Sequence, residues 1–281
     1  PIVTPLVEKR ASWVGGIYSI KETADSYWLG KRYLTGIFQY DKKWQLKNYW
    51  PYLTDSKRAN DITNSSEAFD FLEDSGRMYI STELGLYIMY GDSKKKLVIP
   101  ERDSISIPRL RNIEIENDST WWIRSYSNGI YIFNPRKEKF VGHYEVLDDR
   151  QHQQPVHYMV RTTKGEVFVS TYNGLYELNK DKKFSKISLA DAPSEYLMGM
   201  AEDKNGIIWI ATANGIFAYD PISRKVFKKF KEFNEMGFCY RVTIDAYNNI
   251  WFNCQKGYWC WMQDKQQMLK FGYEMGLPEN R

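Results

Sequence analysis

The sequence lacks a hydrophobic run long enough to form a membrane-spanning helix, because no apolar stretch in its 281 residues approaches the roughly 18 positions that such a helix needs. It also lacks an initiator Met and the apolar core of a signal peptide. We therefore interpret the chain as a mature or excised fragment whose compartment the residues do not encode.

Cysteine and histidine are scarce, with three residues of each. Cys239, Cys254 and Cys260 all lie near the C-terminal end, and an odd number without metal-ligand spacing predicts no disulfide framework. Cys254 and Cys260 lie on successive strands of one predicted hairpin. Two interpretations therefore stay open, a disulfide between them or buried thiols.

Charge of either sign is not in strong excess, since 39 Lys and Arg residues accompany 35 Asp and Glu residues, for a net charge of +4. Both signs are spread along the chain, whereas a nucleic-acid-binding protein concentrates its basic residues. We therefore expect no nucleic-acid partner, while acidic or sulfated ligands are compatible with the charge. Hydrophobic residues make up 43% and charged residues 26%, which excludes a disordered chain.

Aromatic residues are abundant, because 10 Trp, 21 Tyr and 14 Phe make up 16% of the chain. Aromatic side chains favour β-strands, since they fit a pleated, half-buried surface. The composition therefore predicts a large all-β protein.

One pattern recurs six times: a turn, a short aromatic strand, a tight turn that ends in glycine, and a second aromatic strand. The glycines of the tight turns are Gly36, Gly85, Gly129, Gly174, Gly215 and Gly257. Their spacings of 49, 44, 45, 41 and 42 residues average about 44. A period of about 40–50 residues with four strands in each repeat is typical of a β-propeller blade.

The fifth copy indicates where the four strands of a blade lie. Residues 196–203 are predicted as the first strand, 207–212 as the second, 215–220 as the third and 225–231 as the fourth. Both faces of the second strand are apolar, as expected for a sheet packed between two neighbouring sheets. The period persists from about residue 12 to the end, so we predict one propeller domain over residues 1–281.

The fifth copy, DKNGIIWIATANGIFAYD, resembles the repeat of the two-component regulator propeller family, and the fourth copy, TKGEVFVSTYNGLYELN, is nearly as similar. The other four copies are degenerate, with Cys254 at the position where Thr is usual. The final FGYEMGLPENR is similar to the linker that leads into another blade in this family. The resemblance covers roughly nine tenths of the chain and implies a β-propeller of six recognisable four-stranded blades.

Such repeats typically form the periplasmic part of hybrid two-component histidine kinases of gut Bacteroidetes, which respond to polysaccharide fragments and switch on glycan-utilisation genes. The family usually carries two seven-bladed propellers, then a β-sandwich, a membrane helix and the kinase. This chain departs from that pattern, with six repeats and neither a kinase His motif nor an ATP-binding glycine box. The alternatives are one truncated propeller, a smaller propeller protein or part of a longer chain, with six blades that close or that belong to a seven-bladed ring.

Propellers bind ligands mostly at one mouth of the central channel, which is lined by the loops between second and third strands and by those leading into first strands. Rings stack on the C–H faces of sugars, while arginine pairs with carboxylate or sulfate through two hydrogen bonds. The candidate ligand-binding residues are therefore Arg32, Tyr33, Arg109, Arg111, Arg124, Tyr126, His157, Tyr172, Tyr196, Arg241 and Lys256. The alternative is that these side chains pack between blades.

One position of the second strand holds tryptophan in four copies, at Trp28, Trp122, Trp209 and Trp251. This recurrence predicts a structural role in the blade cores. The three histidines, His143, His152 and His157, lie in a segment that we interpret as a polar loop between the third and fourth blades, with a metal or acid–base site as the alternative. Their spacing matches no metal-ligand motif, and we expect no metal, cofactor or catalytic residue.

The function implied by the resemblance is that of a non-catalytic, periplasmic ligand-sensing domain of a two-component signalling protein. The expected ligand is an oligosaccharide, with acidic and sulfated sugars among the options. The expected signalling step is association with a second copy or a neighbouring propeller, and the membrane is reached only through segments outside this chain. Two alternatives stay open: a propeller polysaccharide lyase or glycoside-acting enzyme, and a protein-interaction scaffold.

Overall fold

The computed structural model describes residues 17–31, 36–50, 67–91, 94–101, 108–190, 192–230, 233–272 and 275. These residues form 24 strands and one short helix, α1 (Phe233–Met236). The strands make six four-stranded antiparallel sheets in which strand order follows chain order. The prediction of an all-β chain with six four-stranded blades is therefore confirmed, and we number the sheets blade 1 to blade 6.

The chain divides into two compact units, and the first, which comprises residues 1–126 and 130–143, contains blades 1 and 2 and all of blade 3 except Gly129 and Tyr144. Blade 1 consists of β1 (Ile17–Glu22), β2 (Ser26–Lys31), β3 (Ile37–Asp41) and β4 (Leu46–Trp50). Blade 2 consists of β5 (Ala68–Asp74), β6 (Arg77–Thr82), β7 (Leu86–Tyr90) and β8 (Lys94–Val98). Blade 3 consists of β9 (Leu110–Asn117), β10 (Thr120–Ser125), β11 (Gly129–Asn134) and β12 (Lys139–Tyr144).

The second unit, which comprises residues 127–129 and 144–281, contains blades 4 to 6. Blade 4 consists of β13 (Val156–Arg161), β14 (Val167–Thr171), β15 (Gly174–Leu178) and β16 (Phe184–Ile187). Blade 5 consists of β17 (Leu197–Glu202), β18 (Ile208–Thr212), β19 (Gly215–Asp220) and β20 (Lys225–Lys229). Blade 6 consists of β21 (Cys239–Ile244), β22 (Ile250–Cys254), β23 (Gly257–Met262) and β24 (Gln267–Phe271).

The apolar cores lie between neighbouring blades of one unit. Trp28 of blade 1 packs in one cluster with Phe71 and Ile80 of blade 2. Trp209 of blade 5 likewise shares a cluster with Phe252 of blade 6. All five residues of β18 are buried, so both of its faces are covered, as its sequence predicts. Each large side chain buried in this way contributes about 1.5–3 kcal/mol relative to an exposed one.

A carboxylate holds the turn between the first and second strands of blades 5 and 6. The Asp203 carboxylate accepts hydrogen bonds from the Asn205 and Ile207 amides and from Trp209 Nε1, at 2.8, 3.2 and 2.9 Å. Asp245 repeats the arrangement in blade 6, where Trp251 Nε1 donates to it at 2.9 Å. Because one carboxylate satisfies turn amides and a core indole together, the aspartate and tryptophan of the repeat act as one structural pair.

The predicted structural role of the repeated tryptophan is therefore confirmed, with one difference in burial. Trp28, Trp122 and Trp209 are buried, whereas Trp251 is only partly buried. In blade 3, Trp122 Nε1 donates to Glu116 at 3.0 Å.

A threonine closes the tight turn between second and third strands in blades 2, 4 and 5. The Oγ1 atoms of Thr82, Thr171 and Thr212 donate to the glycine carbonyl three residues later, at 2.9, 3.0 and 3.0 Å. All six repeat glycines adopt a positive φ, between 76° and 155°. This conformation is costly for residues with a Cβ, which explains the glycine at that point of the repeat.

Blade 6 replaces the threonine with a disulfide between Cys239 and Cys254, which face each other across β21 and β22. In blade 5 the same pair of positions holds Leu197 and Thr212. The interpretation that Cys254 bonds to Cys260 is wrong, because Cys254 lies opposite Gly257 and Cys260 lies opposite Trp251 in the β22–β23 register. Cys260 is a buried thiol, and its burial raises its pKa to about 11.

We predict that Asp245→Asn lowers the melting temperature at neutral pH and reduces the further fall of the melting temperature at acidic pH. The hydrogen bond from Trp251, together with bonds from the turn, holds the pKa of Asp245 at about 2, below the value of about 3.9 for an unfolded chain. The stabilisation is therefore complete above about pH 4 and is lost as the pH falls towards about 2. Thermal unfolding at pH values between about 2 and about 4 measures this loss of stability. Asp264→Asn, an exposed aspartate of the same blade, is the control, and an unchanged acid profile in Asp245→Asn would contradict the prediction.

Reduction of the Cys239–Cys254 bond is predicted to lower the free energy of unfolding by about 3 kcal/mol, because the bond spans 15 residues and restricts the unfolded chain. Denaturant unfolding with and without reductant measures this. The double variant Cys239→Leu/Cys254→Thr restores the residue pair of blade 5, so it should be more stable than Cys239→Ser/Cys254→Ser.

Thiol counting provides a separate check of this cysteine pairing. A thiol reagent should label no cysteine in the folded chain, Cys260 alone after denaturation, and all three cysteines after denaturation and reduction. Labelling of three thiols without reductant would show that the bond is absent.

Candidate functional site

Every first strand carries a β-bulge next to its start. In blades 1, 2, 4 and 6 a single extra residue interrupts the register of the first two strands: Tyr18, Phe69, His157 and Tyr240. In blades 3 and 5 two residues oppose one, Arg111 and Asn112 against Arg124, and Met198 and Gly199 against Ala211. A bulge bends the strand and redirects a side chain, and bulges are frequent beside functional sites. The repeat therefore places one redirected side chain per blade at the same end of its sheet.

In the second unit two of these bulge residues, His157 and Tyr240, join rings from the adjoining loops in a continuous row, which we call the aromatic row: Tyr172, His157, Tyr196, Phe238 and Tyr240. The His157 ring lies 3.8 Å from Tyr172 and 5.7 Å from Tyr196 between centroids. Phe238 continues the row at 5.5 Å from Tyr196 and 4.8 Å from Tyr240. The two end rings, Tyr172 and Tyr240, are 39% and 40% exposed, so a ligand can reach both.

The His157 imidazole is fixed by the backbone of the next blade. Its Nδ1 lies 2.6 Å from the Leu197 carbonyl oxygen. A carbonyl oxygen only accepts hydrogen bonds, so Nδ1 carries the proton and Nε2 is the basic nitrogen. The ring orientation in the row is therefore set by the start of β17.

The first unit holds a different group, the arginine cluster, formed by Glu83, Arg109 and Arg111. The Glu83 carboxylate accepts a hydrogen bond from Arg111 Nη2 at 3.0 Å and forms an ion pair with Arg109 Nε at 3.4 Å. The Arg111 guanidinium lies over the Phe69 ring at 3.3 Å from its centroid, with the Tyr126 ring at 5.9 Å. Two guanidinium groups share one carboxylate, so one positive charge is uncompensated within the cluster.

Arg124 lies deeper in the same unit. It belongs to β10 and is 5% exposed, and its Nε and Nη2 donate to Asn112 Oδ1 at 3.2 and 2.9 Å. Asp70 lies nearby in β5, the first strand of blade 2. Burial raises the pKa of Asp70, although the Ile113 and Phe71 amides donate hydrogen bonds to its carboxylate. The prediction that Arg124 lies in a loop is therefore wrong, because the second strand continues one residue past it.

The other predicted site residues are distributed as follows. The structure brings together His157, Tyr172 and Tyr196 in the aromatic row, and Arg109, Arg111 and Tyr126 in the arginine cluster and its rings. Arg241 is an exposed residue of β21, and Lys256 is exposed in the turn before β23. The prediction that Arg111, His157 and Arg241 lie in the loops leading into first strands is wrong, because β9, β13 and β21 begin before them. Arg32 and Tyr33 lie outside the described residues. Ligand binding by these residues stays a prediction.

Sequence reasoning missed Tyr18, Phe69 and Phe238. Tyr18 packs against Phe69 at 4.7 Å between ring centroids, and Phe69 supports Arg111. The second residue of the first strand is Tyr, Phe, Arg, His, Met and Tyr in the six blades. Alignment of the first strands would have revealed this run of long or planar side chains, whereas the tight-turn glycines align only the second and third strands.

The histidines do not form one polar loop. His143 belongs to β12, where its ring lies 4.6 Å from Tyr131, and His157 belongs to β13. Only His152 lies in the loop, 3.7 Å from the Asp148 carboxylate. Within the described ranges, no group of three His, Cys, Asp or Glu side chains is arranged to hold a metal ion. The helix that the structure describes is too short to cross a membrane.

Comparison with protein families identifies one segment of the chain. Residues 192–214 match the two-component regulator propeller family. The matched segment holds β17 and β18, together with Asp203, Trp209 and Thr212, which are the residues that fix the two turns of blade 5. No curated protein matches the sequence.

Comparison with solved structures shows the fold. The extracellular domain of BT4673 from B. thetaiotaomicron, described as a hybrid two-component system, aligns with a TM-score of 0.68 at 17% identity over 93% of this chain. Virginiamycin B lyase from Staphylococcus aureus aligns with a TM-score of 0.70 at 11% identity, over 92% of this chain and 84% of the lyase. PorZ, a surface component of the type-IX secretion system of Porphyromonas gingivalis, aligns with a TM-score of 0.67 at 14% identity, over 97% of this chain and 44% of PorZ.

This chain is much shorter than the BT4673 domain with which it aligns. The chain spans about a third of the BT4673 domain, 33% of its length. The similarities show that the fold is a β-propeller, as the spacing of the repeat glycines predicts.

Proposed function

We propose that this chain, a β-propeller that carries a two-component regulator propeller repeat, is the non-catalytic, ligand-sensing part of a two-component signalling protein. The observation that carries the proposal is the aromatic row, which offers two exposed tyrosine rings joined by a continuous set of packed rings. Flat apolar rings with polar edges suit the C–H faces and hydroxyl groups of sugars. The proposed ligand is an oligosaccharide, and the proposed output is control of glycan-utilisation genes.

The proposed location is periplasmic. Disulfides persist in oxidising compartments and are rare in the cytosol, so the Cys239–Cys254 bond supports it. The extracellular domain among the structural neighbours points the same way.

Signalling through the proposed sensor requires two states with different ligand affinity. A ligand shifts such an equilibrium only by its differential affinity for the two states. We propose that the states differ in association with a second copy or a neighbouring propeller. The aromatic row extends across three blades, so its ligand contacts several blades at once.

A lyase is the second candidate, because the virginiamycin B lyase fold aligns with most of this chain. His157 is the residue on which such an activity would depend. Its Nδ1–H is held by the Leu197 carbonyl, which leaves Nε2 as a candidate general base. This candidate predicts that the chain cleaves an oligosaccharide and that His157→Gln abolishes the cleavage. The sensor predicts that the bound sugar is recovered intact.

We predict that one class of oligosaccharide raises the melting temperature of the chain. A ligand that binds only the folded state adds about 2.7 kcal/mol at about 100 times its Kd. Tyr172→Ala and Tyr240→Ala should each weaken that binding by about threefold to tenfold, since a ring contact is worth about 0.5–1.5 kcal/mol. Thermal shift over a panel of neutral, pectic and sulfated oligosaccharides, followed by titration calorimetry, measures both effects.

The matched control is Tyr247→Ala, because Tyr247 is 85% exposed in the turn between β21 and β22 of blade 6. It should leave the affinity unchanged. Equal losses in all three variants would argue against the aromatic row as the site. A panel in which no sugar binds would remove the oligosaccharide proposal and favour a protein partner.

A further inference from the structure

The arginine cluster contains a backbone conformation that its residue does not favour. Arg109 has φ 45°, in the left-handed region where residues with a long side chain are uncommon. The other described non-glycine residues with positive φ lie in hairpin turns or close a local turn: Trp44, Ser75, Glu138, Gln151, Lys182, Arg224, Asn248 and Gln266. Arg109 instead lies directly before β9, where its amide bonds to a distant segment of the chain.

Two loops impose this conformation on Arg109. Its amide donates to the Glu83 carbonyl at 2.9 Å, and its own carbonyl accepts from the Tyr126 amide at 3.0 Å. The loop after β6 and the loop after β10 therefore both bind the backbone of one residue. Such strain persists where the surroundings over-determine it, and it concentrates at ligand-binding sites. Glycine would meet the backbone requirement at lower cost, so the arginine at this position points to a use of its side chain.

The side chains of the cluster have more donors than acceptors. Arg109 is 45% exposed, and its Nε ion pair with Glu83 leaves its two Nη groups directed to no acceptor within the residues that the structure describes. Arg111 is 13% exposed, and its Nη1 is a buried donor with no hydrogen-bond partner in the same set. A buried donor without an acceptor is costly. An incoming anion would supply both the missing acceptors and the missing negative charge.

The roles of the two arginines follow from their burial. Arg111 is held by Glu83, by Phe69 beneath it and by a hydrogen bond from Ser81 to its backbone carbonyl. It acts as a positioning residue, because it fixes Glu83 and contributes charge from a buried location. Arg109 is the exposed guanidinium, with the fork geometry that matches the two oxygens of a carboxylate or sulfate.

We propose that the arginine cluster binds the anionic group of an acidic sugar, with Arg109 as the contacting residue. The inference rests on the proposed function and narrows its ligand from oligosaccharides in general to those that carry a carboxylate or a sulfate. The cluster belongs to the first unit alone and uses none of the residues of the aromatic row.

The test is titration calorimetry of the 281-residue chain with three probes: trigalacturonate, its fully methyl-esterified form, and a sulfated heparin disaccharide. We expect trigalacturonate or the heparin disaccharide to bind at least about tenfold more tightly than the uncharged ester, since a hydrogen bond between charged groups contributes that much. Comparison of the two acidic probes distinguishes carboxylate from sulfate.

Two variants separate the side chain from the backbone. Arg109→Gly removes the guanidinium and suits the positive φ, so the acidic probe should bind about tenfold more weakly or worse while the melting temperature is maintained. Arg109→Gln removes the charge and keeps a polar side chain, and it should weaken acidic binding in the same way. Arg136→Gln is the control for net charge, because Arg136 is an exposed arginine of the same unit, paired with Asp118.

The outcomes distinguish this inference from the proposed function. Equal affinity for trigalacturonate and its ester, with no binding of the heparin disaccharide, would overturn the inference and leave a neutral-sugar sensor. An unchanged affinity in folded Arg109→Gly, or an equal loss in Arg136→Gln, would also overturn it. Failure of every neutral and acidic sugar to bind would overturn the proposed function itself.

Discussion

The structure depends on sheets that are apolar on both faces. Blade 2 packs between blades 1 and 3, and blade 5 packs between blades 4 and 6, so the aromatic and β-branched residues of β6 and β18 are buried on both faces. In β6 and β18 the polar side chains are therefore found at the strand ends, next to the turns. The carboxylates, threonines and arginines that matter for the turns and for binding are all found at strand ends and in turns, which is why fold and candidate sites occupy separate parts of each repeat.

The repeat tolerates changes where another interaction takes over the same task. Blade 5 uses the Thr212 hydroxyl to hold its tight turn, and blade 6 links the equivalent residue covalently to Cys239. The Ser81 and Ser170 hydroxyls donate to backbone carbonyls of the next blade, at Arg111 and Met198. The degenerate copies are therefore not weakened versions of one blade, because different contacts fix the same strand ends.

The sequence was sufficient to predict the six blades and the order of their strands, because the tight-turn glycines and the tryptophan position recur at a fixed spacing. It was not sufficient to predict the register between the first and second strands of each blade. The bulge shifts the pairing by one residue, and no turn glycine marks it, so the sequence does not single out Phe69 or Tyr18. The loop prediction for Arg124 is wrong for another reason, because β10 ends at Ser125, one residue past it. The cysteine pairing has a different cause: Cys239 lies opposite Cys254 in the β21–β22 ladder, whereas Cys260 is three ladder positions away from Cys254 in the β22–β23 ladder.

The bulge also has a consequence for how such a protein diversifies. Its extra residue adds a side chain at the strand end while the flanking ladder positions keep their hydrogen bonds. Selection can therefore exchange tyrosine, phenylalanine, arginine or histidine there with little effect on the sheet that carries it. Each blade contributes one such exchangeable position, so a propeller can change the chemistry of the surface it presents one blade at a time, and its folding stability need not change at the same pace.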